Sequence, residues 1–462
     1  MNDALSFAPL RRRPAGAALL LLVLFLGGVA LTGTGVAHAQ TRGDGSVYSS
    51  FGLGELRTFS SAQAQAMGGG GLALRSLNYS GFANPALLSD QELTRLNLGA
   101  RYRQVDARNG TGQTSRLSNG ALQAVQFSFP LYAEELGVGI GFRPYSRVEY
   151  RVQGDADFVT EPPIGGGPRQ DSTRFQISYE GEGGLQEISG GLGYRIGDAL
   201  AIGARVNVIF GILENQRRTF FSDPDFLPTT LAQRTRLAGV TGTAGALLSL
   251  SGVLREEDAL SVGATFTLPT RLSGERTRTL GESLNRDTLS LGNGDTVEEG
   301  GLTVPLSGAL GISYKPSAYW TLVADGRYEP WSGAENDFDT ALPSFSDLRD
   351  RARASAGVEL LPAGENRNES FFERTAYRLG GYYEQTYIGA ATLPAGAAGG
   401  VDVMAATGGF SLPTPLYGTR IDVGFEVGTR GTTDDGLVRD LFYGISLNVN
   451  FGERWFQRRK LR

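Results

Sequence analysis

The chain has 462 residues, with 43 Lys and Arg against 48 Asp and Glu, a formal net charge of −5, no cysteine and one histidine. Without cysteine an oxidising compartment gains no disulfides here, and without a basic excess the chain has no patch that tracks nucleic acid. His38 is the only imidazole and lies in a segment read below as removable, so zinc sites built on His or Cys and Ser-His-Asp or Cys-His mechanisms lack their groups. No catalytic, cofactor or metal residue is assigned.

The N-terminus reads as an export signal. Arg11, Arg12 and Arg13 precede an apolar run over 17–29, and Ala37-His38-Ala39 follows. Basic, then apolar, then A-x-A is the order that signal peptidase reads. Residues 1–39 are therefore expected to be removed after Ala39, which leaves a net charge of −7. Residues 40–91 are rich in Gly, Ala and Ser and contain Met67-Gly68-Gly69-Gly70-Gly71 and Asn84-Pro85-Ala86. This segment is long for a lead-in and small for an independent domain. A plug inside a barrel accounts for it, and a flexible periplasmic tail is the bland alternative.

After Gln40 no apolar run of about 18 residues occurs, so no transmembrane helix is expected. Period-2 alternation recurs instead. Leu96, Leu98, Ala100 and Tyr102 oppose Asn97, Gly99, Arg101 and Arg103. Ile202, Ala204, Val206, Val208 and Phe210 oppose Gly203, Arg205, Asn207 and Ile209. The same pattern returns over 320–328, 420–427 and 441–451. Alternation alone does not separate a soluble sandwich from a membrane barrel; the connections help more. Short ones fall near 133–135, 197–199, 255–258, 315–318 and 412–418. Long polar ones fall near 105–118, 154–171, 222–234, 271–300, 330–348, 388–401 and 431–438. That short–long alternation is the pattern of periplasmic turns and external loops. About 14 strands result, centred near 97, 125, 141, 190, 205, 243, 263, 308, 324, 355, 380, 407, 424 and 446. The reading is an all-β, transmembrane antiparallel barrel over 92–452, both ends periplasmic, with a short tail at 453–462. A sheet in the bilayer must close on itself, because no water satisfies an open edge.

Several stretches resemble the FadL family of outer-membrane long-chain fatty acid transporters, in its Bacteroidetes-type FadL-like form. They are YSSFGLGEL (48–56), AQAQAMGGGGLAL (62–74), FANPALL (82–88), LGVGIGFRPYSRVEY (136–150), YEGEGGLQEISGGLGY (179–194) with 200–211, and NFGERWFQRRK (450–460). The resemblance implies a 14-stranded barrel with residues 40–91 as a luminal hatch. It also implies a hydrophobic ligand that enters from outside, binds in the barrel and leaves after the hatch moves, without cofactor or nucleotide. The expected partners are the outer-membrane bilayer and a hydrophobic small molecule such as a long-chain fatty acid. A partner subunit in protein secretion, as some FadL-like barrels are, is the alternative, and a general diffusion porin is a third.

Candidate site residues follow. Asn84, Pro85 and Ala86, with Gly68 and Gly69, are expected to hold the hatch: Pro85 biases Asn84 away from helix, and Asn84 can bond local backbone. An ordinary turn before the first strand is the plain alternative. The Gly68–Gly71 run is no P-loop, since neither Gly-Lys-Ser/Thr nor a βαβ unit accompanies it. Gly181, Gly183 and Gly184 interrupt a long strand pattern and mark either a lateral gap or a kink. Arg101, Arg103, Arg205, Asp325, Arg327, Asp422 and Glu426 are expected to face the lumen. The arginines are candidate anchors for a carboxylate, against the alternative of a satisfied ion-pair lattice. Asp223, Asp225, Asp337 and Asp339 offer oxygen ligands suited to calcium, but their spacing fits no calcium loop.

Overall fold

The computed structural model describes residues 45–76, 78–160, 171–222, 228–281, 287–288, 297–338, 348–364, 366, 368–390, 393, 399–416 and 418–454, all within the compact unit Gly43–Arg462. The export signal and its cleavage site, Asp223, Asp225, Asp339 and most of the C-terminal tail lie outside the described residues.

Apolar and small residues at alternate positions build long extended strands whose two faces differ. In chain order these are β1 (Glu55–Leu56), β2 (Thr94–Asn109), β3 (Thr114–Tyr132), β4 (Leu136–Pro144), β5 (Ser146–Arg147), β6 (Tyr150–Thr160), β7 (Asp171–Ile196), β8 (Leu200–Phe221), β9 (Thr229–Ser251), β10 (Ala259–Thr267), β11 (Thr270–Leu280), β12 (Asp287–Thr288), β13 (Val297–Val304), β14 (Ser307–Ser317), β15 (Trp320–Glu329), β16 (Arg351–Leu360), β17 (Ala376–Gln385), β18 (Asp402–Pro413), β19 (Arg420–Arg430) and β20 (Val438–Glu453). Three wall strands are bent: β4 with β6, β10 with β11, and β13 with β14. Counted so, fourteen antiparallel strands close the barrel, each expected strand centre falling in one of them. Closure is the β2–β20 ladder, whose Thr94↔Glu453 pair puts the start of the first strand and the end of the last on one rim.

The two faces separate as the alternation dictates. Leu98, Val206, Val240, Leu310, Leu379, Met404 and Ile445 are exposed on the outside, while Asn97, Asn207, Ser313, Arg378 and Asn448 are buried inside. An apolar outer wall around a polar interior is the membrane-barrel arrangement, where the backbone is satisfied strand to strand and the side chains meet lipid.

Some strands run farther than the pattern indicated. The connection expected at 105–118 shrinks to 110–113, and β11 and β13 pair from Thr270↔Val304 to Thr277↔Val297 within the loop expected at 271–300. In these extensions both faces carry polar residues, such as Gln216, Arg217 and Arg218 on β8, so pairing continues without apolar alternation to announce it.

Residues 46–91 run inside the barrel. The short helix α1 (Ala62–Ala66) is capped by Ser61, whose side chain accepts from the Ala64 amide. A 3-10 turn at Pro85–Asp90 is capped by Asn84, with Pro85 in its first turn, where a missing N–H costs nothing. Above this segment lies an apolar cluster. Tyr48 and Leu53 meet wall residues such as Leu185, Ile209 and Leu272, and loop residues Trp331, Phe338, Tyr387, Ile388 and Val401. The Trp331 and Tyr387 rings stack at 5.1 Å, and Tyr387 Oη donates to the carbonyls of Phe51 and Gly54. External loops read from sequence as merely polar therefore fold inward and cover the lumen.

Candidate functional site in the barrel lumen

The interior is a contact surface between the wall and residues 46–91. Buried charges need partners, and the wall supplies them in a ring. Arg103 on β2 and Arg430 on β19 donate to Glu55 at 2.7 and 2.6 Å. Thr407 on β18 accepts from the Gly68 amide at 2.8 Å, and Arg353 on β16 donates to the Gly68 carbonyl at 3.1 Å. Asp325 on β15 accepts the Gly71 and Leu72 amides at 2.5 and 3.2 Å. Tyr79 donates to Asp422 on β19 at 2.5 Å.

The glycine run permits this approach. Gly68 and Gly69 have φ of +88° and +83°, and a Cβ on Gly68 would sit 2.5 Å from the Gly381 carbonyl oxygen. Asn84 is wholly buried. Its Nδ2 donates to the carbonyls of Leu72 and of Ala246 on β9 at 3.0 and 2.9 Å, while its Oδ1 accepts the Ala86 amide. Asn84 thus ties two parts of the luminal segment to the wall, with Pro85 and Ala86 packed against Gly203 of β8.

The third wall strand leaves the barrel surface between Pro144 and Tyr150. There β5 pairs with β1, Glu55↔Arg147 and Leu56↔Ser146, so the wall contributes a strand to the luminal segment. On either side the ladders diverge. β3 pairs with β4 only from Val125 to Tyr132, and its upper part, from Thr114, pairs with β2 alone. β6 pairs only with β7. Among the described residues no backbone ladder joins Thr114–Gln123 to Tyr150–Thr160, and Asn119 Nδ2 donates to the Glu149 carboxylate across the break at 3.2 Å.

Gly181, Gly183 and Gly184 lie opposite this kink. They do not open β7, which pairs with β8 without interruption from Phe175↔Phe221 to Ile196↔Leu200. Instead they make room. The Tyr145 and Val148 amides donate to the carbonyls of Leu185 and Gly183, and a Cβ on Gly184 would sit 2.4 Å from the Ser146 carbonyl oxygen. The ladder break lies one strand over from the glycines that accommodate it.

Arg101, Arg103, Arg205, Asp325, Arg327, Asp422 and Glu426 all face inward, as their parity requires. They do not form one constellation. Arg101 and Arg103 line a cavity of about 70 Å³ with Glu55 and Glu426, whereas Arg205 and Arg327 line a central one of about 120 Å³ with Arg143, Glu187 and Arg353. A wider cavity of about 610 Å³ opens beneath, bordered by Arg95, Lys315, Arg374 and Arg420. Arg143, Glu187, Arg351, Arg353 and Glu384 were not singled out from sequence, although their position on alternate wall residues was a usable signal. Asp337 pairs with Arg271 in an ion pair.

Fold and interior together define a transmembrane β-barrel whose lumen is occupied by residues of its own N-terminal segment. The model of the BamG family matches residues 23–462, and the chain belongs to that family. Among solved structures, a FadL homologue of Pseudomonas aeruginosa has a TM-score of 0.56 at 13% identity, covering 86% of this chain and 98% of its own. The toluene transporter TbuX of Ralstonia pickettii gives 0.52 at 16%, covering 86% and 99%, and the monoaromatic hydrocarbon channel CymD gives 0.51 at 17%, covering 88% and 100%. At these identities the likeness is one of fold. A search of curated proteins finds no match.

Proposed function

We propose that the protein is exported by its signal, cleaved after Ala39, and passes hydrophobic compounds passively across the outer membrane, with long-chain fatty acids and similar amphiphiles as the leading class. The observation that carries this reading is the ladder break between β3 and β6, made by a wall strand that turns inward to pair with β1. An apolar solute gains nothing from the polar lumen and is better solvated by lipid, so an interruption in the wall is a usable exit. Because β5 pairs with β1, movement of the luminal segment is transmitted to the edge of that break. The central cavities, about 120 and 70 Å³, are smaller than the roughly 300 Å³ at which ligand pockets begin. A long acyl chain therefore passes only after residues 46–91 shift, which gives Gly68, Gly69 and Asn84–Ala86 the role of a hatch. The similar structures, a FadL homologue, a toluene transporter and a monoaromatic hydrocarbon channel, support the same ligand class.

The test uses the absence of native cysteine. Asn119→Cys with Glu149→Cys places a pair across the break. Labelled fatty acid transfer into proteoliposomes should fall on oxidation and return on reduction. Equal transfer in both states, or no saturable binding to the wild type, refutes the reading.

The filled lumen favours a second reading, a partner subunit in protein secretion. A barrel closed by the Trp331–Tyr387 cluster offers a rigid wall whether or not anything passes through it. Absence of ligand transfer together with a stoichiometric complex with exported proteins would decide for it.

A further inference from the structure

Four guanidinium groups, those of Arg143, Arg205, Arg327 and Arg353, line the central cavity with only two carboxylates, Glu187 and Asp325. Both carboxylates are committed. Glu187 accepts from Arg143 at 2.7 and 3.1 Å, and Asp325 accepts the two amides of the luminal segment. Arg353 finds its counter-charge in Glu384 at 2.9 Å.

Arg205 and Arg327 are left. Arg205 Nη1 donates to the Phe82 carbonyl at 2.6 Å, and its buried Nε has no partner among the described residues. Arg103, Arg195 and Arg351 also leave one nitrogen without a hydrogen bond, but each touches a carboxylate, and among the described residues no ion pair is found for Arg205. Arg327 reaches Ser307 Oγ at 3.4 Å and Glu329 at 3.8 Å, and Glu329 is already bound by Arg351 at 3.1 Å and by the Trp331 indole at 2.9 Å. Two guanidiniums on one cavity, one without an ion pair among the described residues and the other sharing Glu329 at 3.8 Å with Arg351, leave positive charge in excess there, which is costly. A guanidinium cannot shed its proton to escape that cost, so an anion from outside the chain is the remaining remedy.

We infer that the central cavity binds one oxyanion, a carboxylate or phosphate-type group, held by Arg205 and Arg327. The planar guanidinium fork matches such a group, and about 120 Å³ accommodates one where a long chain does not fit. Because Arg205 also holds the Phe82 carbonyl, the bound anion stiffens the luminal segment. The same chemistry comes from a free anion or from the head of an amphiphile. The inference holds whether or not the barrel transports.

The test is the thermal midpoint of the mature protein in neutral detergent at constant ionic strength, with chloride replaced by phosphate, acetate or submicellar decanoate. A saturable rise is expected. Arg205→Gln and Arg327→Gln should each weaken the apparent affinity by about tenfold or more, while Arg116→Gln, at an exposed pair, leaves it unchanged. Arg327→Lys, which keeps the charge but not the fork, should give an intermediate loss and covers the case in which the glutamine variants do not fold. Decanoate binding much tighter than acetate identifies an amphiphile head, and equal binding identifies a free anion; both uphold the site. A wild-type midpoint indifferent to all three anions, or one whose response survives in the folded Arg205 and Arg327 variants, overturns it.

Discussion

Glu55 accepts a hydrogen bond from Arg430 at 2.6 Å across 375 residues of sequence. The same carboxylate oxygen takes Arg103 at 2.7 Å, and the two guanidiniums lie 4.1 and 5.9 Å from the centroid of the Phe442 ring. One carboxylate from the luminal segment therefore bridges two buried wall cations. Glu55→Gln keeps the shape and removes the charge, which leaves both arginines short of an anion. Breaking a buried pair in this way costs about 3 kcal/mol or more. The denaturant midpoint of the refolded barrel should fall, and conductance in planar bilayers should rise as residues 46–91 loosen. An unchanged midpoint with unchanged conductance would contradict the assignment of Glu55 as an anchor.

Asn84 is the second anchor, and its loss is of another kind. Asn84→Ala deletes two donated bonds and one accepted bond at a fully buried position. The Leu72 carbonyl and the Ala86 amide lose their partners, a cost of about 1–3 kcal/mol. Gly245→Ala approaches the same contact from the wall, because its Cβ would sit 2.1 Å from Asn84 Oδ1. Both variants should speed hydrogen exchange at residues 84–90 and leave the strands of the barrel protected. Equal exchange in the variants and the wild type would show that the turn holds without Asn84.

The barrel was legible in the sequence because lipid and lumen impose opposite demands on successive residues. Leu98 and Arg103, or Val206 and Arg205, point apart for that reason alone. Strand ends were not legible, since beyond the membrane both faces of β8 and β11 carry polar residues and the period disappears while hydrogen bonding continues. The expectation that Asn84-Pro85-Ala86 holds the luminal segment rested on resemblance and on the ability of Asn84 to bond local backbone. The partners of Asn84, such as the Ala246 carbonyl, are set by register between distant strands, which no local pattern carries. The kink is a similar case. The glycines at 181, 183 and 184 announced irregular backbone, but its effect falls on the neighbouring strand.

Trp331 lies at the centre of the apolar cluster over the lumen. Its ring stacks on Tyr387, its indole N–H donates to Glu329, and it is 1% exposed. Trp331→Ala removes a large buried ring and should cost about 3–5 kcal/mol. Trp331→Phe keeps the stack and loses the indole bond, so it should cost less. If the cluster is the outer closure of the lumen, the alanine variant admits a hydrophilic dye into proteoliposomes and the phenylalanine variant does not. Dye exclusion by both would place the closure at the luminal segment alone.

The glycines opposite the kink give a graded prediction. At Gly184 a side chain meets backbone, 2.4 Å from the Ser146 oxygen, in a conformation with φ of +141°. At Gly181 the obstacle is the edge of the Tyr150 ring at 2.1 Å, a side chain able to turn, and φ is ordinary. Gly184→Ala should therefore cost about 2 kcal/mol or more, from backbone strain and overpacking together, and Gly181→Ala distinctly less. The physical consequence is specific. Pushing Ser146 away from β7 breaks the bonds from Tyr145 and Val148 to Leu185 and Gly183, and with them the support for the β1–β5 pair. A cysteine pair spanning Leu56→Cys and Ser146→Cys should then oxidise more slowly in the Gly184→Ala background than in an otherwise wild-type chain, with the Gly181→Ala background near the latter. A reversed order of stability or of oxidation rate would mean that the kink is held by the luminal segment and not by the glycines of β7.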